Sequence, residues 1–178
     1  MIWLSNSAVA RLRDRLRAQG RRPSVVMNPS GETDLDALEL QTAAADYGAF
    51  CEAMYLMMSA DGTVGSEERE VLKGALRSLS EGAVRSVHIE ALLDQAAKDV
   101  AEQGRDARLR DVVARLHDDR ARAEVAFMLA AAVAFADNAI ADEENETLAD
   151  FAEGLGIDEA RANELLDSVE ADLADRSV

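Results

Sequence analysis

Two short acidic turns are the places in this sequence where side chains of suitable type and spacing could bind a ligand. In each turn an aspartate ends an apolar segment, and a pair of glutamates six residues later opens a polar one. Carboxylates gathered with loop carbonyls form the oxygen-rich site that hard divalent ions such as Ca²⁺ or Mg²⁺ prefer. The six candidate metal ligands are Asp61, Glu67, Glu68, Asp137, Glu143 and Glu144.

The first turn matches only half of the EF-hand calcium loop. Asp61, Gly62 and Glu68 fall on its fifth, sixth and twelfth positions, but Met57 and Ser59 stand where its first and third ligands belong. A cation would therefore have few protein ligands, and we expect it to bind weakly. The alternative is that the glutamates only complement helix N-termini while the aspartates cap turns. The residue pattern leaves both interpretations open.

The segments that position these turns have the composition of α-helices. Ala, Leu, Val and Met dominate an apolar fraction of 48%, and only 4% of the residues are aromatic. Both prolines precede the first long periodic segment, so no proline interrupts the later ones. We predict an all-α fold with a short helix near 5–19, followed by a single globular domain of about seven helices. These are expected near 34–60, 66–79, 84–103, 106–117, 120–137, 142–154 and 158–174, with N-caps at Ser66, Asp142 and Asp158.

An internal repeat relates the two halves of the chain at an offset of 76 residues. It places residues 57–64 on residues 133–140, with the glutamate pairs aligned after them. We predict pseudo-two-fold related units of about 35–103 and 106–174, within a domain of 33–178. The two long apolar helices that lead into the turns should pack together at the centre.

The two turns resemble those of the TerB-like tellurite-resistance family, which also includes the N-terminal domain of a membrane-anchored DnaJ-type co-chaperone. The resemblance rests on MMSADGTVGSEERE (57–70) and AFADNAIADEENE (134–146), and covers about 35–173. It implies about seven helices with internal pseudo-symmetry, a cytoplasmic or membrane-associated role in stress response, and divalent-cation binding through the six acidic residues named above. Asn138 departs from the pattern, since the first copy has Gly62 there.

The charge distribution divides the chain into a basic start and an acidic body. The net charge is −16, yet residues 1–30 hold six arginines against Asp14 alone, which leaves −21 for the remainder. An acidic body repels nucleic acid and anionic lipid, and favours cations or protein partners with basic surfaces. We treat 1–32 as a basic helix and linker and expect this helix to dock on the acidic body. A peripheral membrane contact through Ile2, Trp3 and Leu4 beside the arginines, or a partner contact, stays open.

The sequence offers no recognisable catalytic machinery. It has no GxxxxGK phosphate loop, no GxGxxG and no GxSxG, and neither His88 nor His117 belongs to a catalytic pattern. Cys51 is the only cysteine, so a disulfide or a cysteine-based zinc cluster is excluded and a buried, inert thiol in a reducing compartment is expected. The N-terminus lacks the apolar region of a secretory signal, and the longest apolar run, 125–136, is shorter than the roughly 20 residues that span a bilayer.

We therefore expect a cytoplasmic, non-enzymatic domain that binds divalent cations (Ca²⁺, Mg²⁺ or Zn²⁺), protein partners, or both through its acidic helix-loop-helix turns. The alternative is a purely structural acidic scaffold for protein interaction that binds no metal. Metal-dependent stabilisation of the fold would separate the two.

Overall fold

The described part of the chain is helical throughout, as predicted. The computed structural model describes residues 6–18, 35–59, 62, 64–135 and 142–174, with the side chains at 6–8, 35–37, 142–144 and 172–174 outside that description. No strand occurs among these residues, so the predicted all-α class is confirmed. The helices are α1 (Asn6–Ala18), α2 (Leu35–Met58), α3 (Ser66–Leu79), α4 (Ser86–Gln103), α5 (Arg105–Leu116), α6 (Arg120–Ala134), α7 (Asp142–Gly154) and α8 (Glu159–Ala174).

Helices α2 and α6 form the centre of the molecule. Residues 49–57 of α2 and 125–134 of α6 are buried without a break, because both segments are apolar on nearly every face, with Glu52 the one charged residue between them. The two helices pack along each other, α4 packs on α2, and α8 packs on α6. Alanines supply much of α6, and their small side chains leave room for close approach of the neighbouring helices. The predicted central pair is confirmed.

The basic helix α1 docks on the acidic body, as expected. Val9 and Leu12 are buried in the common core, and α1 packs against α3 and α6. At its end Arg13 Nη1 lies 3.0 Å from Glu81 Oε1, and Arg17 pairs with the other oxygen of the same carboxylate. Apolar burial thus anchors this helix, and the ion pairs add to it.

Helix α3 ends in a turn that places Glu81 to receive those arginines. The amide of Gly82 donates to the carbonyl of Arg77 (2.9 Å) and that of Glu81 to Ser78 (3.2 Å), which is the paired bonding of a Schellman cap. Glu81 occupies the left-handed position with φ 53°, where glycine is the usual residue. The cap turns the Glu81 carboxylate toward α1.

The predicted repeat would relate α2, α3 and α4 to α6, α7 and α8. α2, α3 and α4 are succeeded by α6, α7 and α8, with α5 between them. The repeat itself stays a prediction, because most of both turns (60–61, 63 and 136–141) lies outside the described residues. Among the described helices, none combines the length and the apolar character needed to span a membrane.

Candidate functional site

The first acidic turn begins where the buried helix α2 ends. The amide of Ser59 donates to the carbonyl of Tyr55 (2.9 Å), and the amide of Gly62 donates to the carbonyl of Ser59 (3.2 Å). The buried Ser59 hydroxyl also donates to the Leu56 carbonyl at 3.3 Å. Gly62 has a φ of 144°, in the region that favours glycine. The chain thus leaves the core through a compact turn that exposes Gly62.

Glu68 folds back from α3 onto the turn. Its Oε2 accepts a hydrogen bond from the amide of Gly65 at 2.5 Å, as the glutamate of a capping box does. Gly65 is the N-cap residue, so the predicted N-cap at Ser66 is wrong by one position. The Glu68 carboxylate, at the third helical residue, therefore satisfies the amide of the N-cap residue itself. Glu67 is exposed beside it.

The side chains of the other four predicted metal ligands are outside the described part of the structure. Asp61 and Asp137 lie outside the described residues, and so do the side chains of Glu143 and Glu144, although their backbone belongs to the first turn of α7. Within the described part of the chain, no group of three His, Cys, Asp or Glu side chains could hold a metal ion. The structure therefore places only Glu67 and Glu68 of the six, and the complete ligand set stays a prediction.

Helix α3, which carries the two glutamates, is fixed to α4 by ion pairs. Arg69 Nη2 lies 2.6 Å from Asp94 Oδ1 and 3.1 Å from Glu90 Oε2, and Lys73 also pairs with Glu90. Hydrogen bonds from Lys73 and then Arg69 lower the pKa of the Glu90 carboxyl. The position of Glu68 is therefore set by both its own cap and the adjacent helix.

Arg105 links the end of α2 to the second half of the molecule. Its Nε donates to the carbonyl of Leu56 at 3.1 Å, and its Nη2 donates to the hydroxyl of Thr147 in α7 at 3.3 Å. The carbonyls in the last turn of a helix lack intrahelical partners and form its negative pole. A cationic side chain there supplies the missing hydrogen bond and also interacts favourably with the helix dipole. One side chain thus joins the two helices that border the predicted cation turns.

A buried charge cluster centred on Glu52 was not predicted from the sequence. Arg108 contacts both carboxylate oxygens of Glu52 (Nε–Oε1 2.6 Å, Nη2–Oε2 3.0 Å), and Arg115 pairs with Oε2 as well. The Glu52 side chain is only 6% exposed. Hydrogen bonding to Glu52 is the main cause of the raised pKa of the Arg108 guanidinium. Since all its polar atoms are partnered, this cluster holds α5 against α2.

Two signals in the sequence could have revealed that cluster. Glu52 is a lone acid inside an otherwise apolar run, and Arg108 and Arg115 recur at the seven-residue spacing that puts both on one helix face. A buried carboxylate requires such partners, because an unpaired buried charge is very costly.

Cys51 and His88 have no catalytic partners among the described residues. Cys51 is 1% exposed, which confirms the predicted buried thiol, and burial raises the pKa of this thiol to about 12; its inertness stays a prediction. His88 is 5% exposed, and its Nε2 accepts a hydrogen bond from Arg85 at 3.0 Å.

Comparison with known proteins places most of this architecture in one family. The model of the family described as tellurite resistance protein TerB matches residues 48–167, which include both acidic turns and the helices that flank them. The matched segment is 120 of the 178 residues. Searches among curated proteins and among solved structures found no significant match.

Proposed function

Because this chain belongs to the TerB family, we propose that it is a non-enzymatic, cytoplasmic stress-response domain whose acidic turns bind divalent cations. Protein partners with basic surfaces are the second class of ligand, attracted by the charge of −16. The observation that carries the cation proposal is the geometry of Glu68, whose side chain turns back from α3 toward the loop rather than outward into solvent.

The donor set around the first turn suits a hard cation. Glu67 and Glu68 supply carboxylate oxygens, and Asp61 is the expected third ligand from the other side of the loop. One oxygen of Glu68 is occupied by the Gly65 amide, so a cation would be held through the other oxygen and through water. Glu143, Glu144 and Asp137 are the corresponding ligands in the second turn. Binding of this kind is expected to be weak, with Kd near or above about 10⁻⁴ M.

The alternative function is a structural acidic scaffold that binds no metal. The same hydrogen bond supports it, because a glutamate whose oxygen caps Gly65 already has a structural role. The two functions differ in one respect that can be measured: only a cation site gives stabilisation by a divalent ion that is lost when the glutamates of the turn are replaced.

Thermal unfolding of the full chain with EDTA, Ca²⁺, Mg²⁺ or Zn²⁺ tests the proposal. A site whose free ion is at about ten times Kd stabilises the fold by about 1.4 kcal/mol, so the melting temperature should rise with millimolar metal and continue to rise with the logarithm of its concentration. The double variant E67Q/E68Q should lose the contribution of the first turn. Glutamine oxygens can still accept from the Gly65 amide, so its stability in EDTA should stay close to that of the wild type.

The matched control is D167N/E170Q, which removes the same charge from exposed positions on α8. It should respond to metal as the wild type does. An equal response of both double variants would mean that metal acts only by screening the acidic surface, and absence of any response would leave the scaffold function alone.

A further inference from the structure

Helices α6, α7 and α8 enclose an apolar groove of about 650 Å³ that the cation proposal does not involve. Its floor is formed by Phe127, Leu148 and Ile157, and Phe135 and Leu166 contribute partly exposed side chains. The volume lies within the range of about 300 to 1,000 Å³ that ligand sites occupy. Elsewhere on the described surface, Val87 is the only large apolar side chain that is exposed. The groove is therefore the main site on the described surface where a ligand could contact several apolar side chains at once.

The rim of the groove is negatively charged. Glu153, Asp158 and Glu159 line it, and no Lys, Arg or His occurs among its described lining residues. Asp158 caps α8, because its Oδ1 accepts from the Arg161 amide at 2.9 Å. Glu153 and Glu159 are exposed, so their side chains can contact an approaching ligand.

We propose that this groove docks an amphipathic helix of a partner protein, with basic residues flanking its apolar face. The apolar floor requires an apolar stripe, and the acidic rim selects for Lys or Arg beside it. The walls are helices whose backbone groups are internally bonded, so no strand edge among the described residues is available for an extended peptide. A helix laid into a groove between helices is the recognition mode that this apolar, helix-walled lining favours.

The dimensions of the groove fix the length of the docked segment. Its lining runs from Asn145 to Glu153 on α7, eight residue steps or about 12 Å of helix. That accommodates about two turns of a partner helix, with apolar anchors at positions i, i+3 or i+4, and i+7. A short segment of this size does not bury enough area for a permanent complex, so a reversible interaction is expected.

The test uses the full chain and fluorescently labelled synthetic helices in a titration followed by anisotropy. The first peptide carries Leu at i, i+3, i+4 and i+7 with Lys elsewhere. The second has the same composition with the leucines scattered around the helix, and the third keeps the apolar face but replaces Lys with Glu. We expect saturable binding of the first peptide and at least about ten-fold weaker binding of the other two, a difference of about 1.4 kcal/mol.

Two variants of the protein locate the binding to the groove. A149W fills it from an exposed lining position, and E153K/E159K reverses the charge of the rim. Each should weaken binding of the first peptide by about ten-fold or more. The control E146K/E170K makes the same charge change on α7 and α8 outside the groove lining and should change binding by less than about three-fold. Melting curves confirm that each variant is folded.

Three outcomes would overturn the proposal. Equal binding of the scattered peptide would show charge attraction without a groove. Binding that survives both A149W and E153K/E159K would place the interaction elsewhere. Self-association that A149W abolishes, seen by sedimentation, would assign the groove to a second copy of this chain. Because none of these readouts involves metal, failure here is distinguishable from failure of the cation proposal.

Discussion

At the residue scale, Glu52 shows how one charge can organise a core. It lies among apolar neighbours in the most buried part of α2, and Arg108 and Arg115 approach it from α5. Two arginines on one carboxylate satisfy its oxygens, and Asp111 in turn lies 3.0 Å from Arg108 and 2.9 Å from Arg115. The cluster therefore specifies which face of α5 packs on α2.

Replacing Glu52 with glutamine should destabilise the protein more than any change at an exposed ion pair. E52Q leaves Arg108 partly buried beside a neutral acceptor, and we expect a loss of about 3 kcal/mol in the free energy of unfolding. The comparison is E102Q, because Glu102 and Lys98 are exposed and 3.9 Å apart, and its effect should stay within about 0.5 kcal/mol. Urea unfolding measures both, and equal effects would refute a structural role for the cluster.

Single positions were predictable where one physical rule dominates. The apolar surroundings of Cys51 predict a buried thiol, and Asp158 caps α8 through Arg161 as expected. The predicted N-cap at Ser66 was wrong because Ser66 is the first helical residue and Gly65 precedes it as the N-cap, with the Glu68 carboxylate accepting from the Gly65 amide. Glycine is also accepted at an N-cap, so the presence of a serine alone does not fix where the helix begins.

At the element scale, the helix bounds can be predicted from the alternation of apolar segments and polar joints along the sequence. The neighbouring helices that each helix packs against cannot. All eight helices begin and end within a few residues of the predicted bounds. Pairings such as that of Arg105 with Leu56 join residues 49 positions apart, and no local sequence pattern predicts them. The groove between α6, α7 and α8 is likewise a product of helix placement.

The pairing of α6 with α8 should depend on pH. Arg161 contacts both oxygens of Glu124 (Nε–Oε1 3.0 Å, Nη2–Oε2 2.8 Å) and is the main cause of the lowered pKa of that carboxyl. With the folded pKa below the ordinary 4.5, the pair stabilises the fold fully above pH 4.5. That contribution declines as the pH falls below 4.5, and it is lost below the folded pKa.

The variant E124Q measures that contribution. Near pH 7 it should be less stable than the wild type by about 1 to 2 kcal/mol, since Arg161 is partly exposed and its attraction is screened. The difference should shrink progressively as the pH is lowered below 4.5. Urea unfolding across this range is the measurement, with E170Q as the exposed control. A difference that does not change with pH would mean that E124Q acts through packing rather than charge.

At the scale of the whole molecule, α2 runs through the centre. The accessibility of the Cys51 thiol on α2 therefore measures whether the surrounding helices stay packed. A raised thiol pKa of about 12 and 1% exposure protect it while the fold is intact. Nearly all the described helices contact α2 or α6. Exposure of Cys51 to a reagent therefore requires the central pair to separate.

Labelling of Cys51 with a thiol reagent near pH 8 should thus proceed only through global unfolding. The labelling rate should rise with low concentrations of urea along the same slope as the unfolding equilibrium measured by circular dichroism. A rate insensitive to urea would reveal a local opening near Cys51 and contradict the central placement of α2 in the cooperative unit.

The side chain of Arg105 couples the two halves of the molecule mechanically. Its Nε donates to the last turn of α2 and its Nη2 donates to α7. A displacement of either helix would therefore strain both hydrogen bonds. Occupation of one turn would then alter the affinity of the other, and by thermodynamic reciprocity the influence runs equally in both directions. If the ion favours the same arrangement of the Arg105 bridge at both turns, the two turns would respond to ion concentration more steeply than isolated sites.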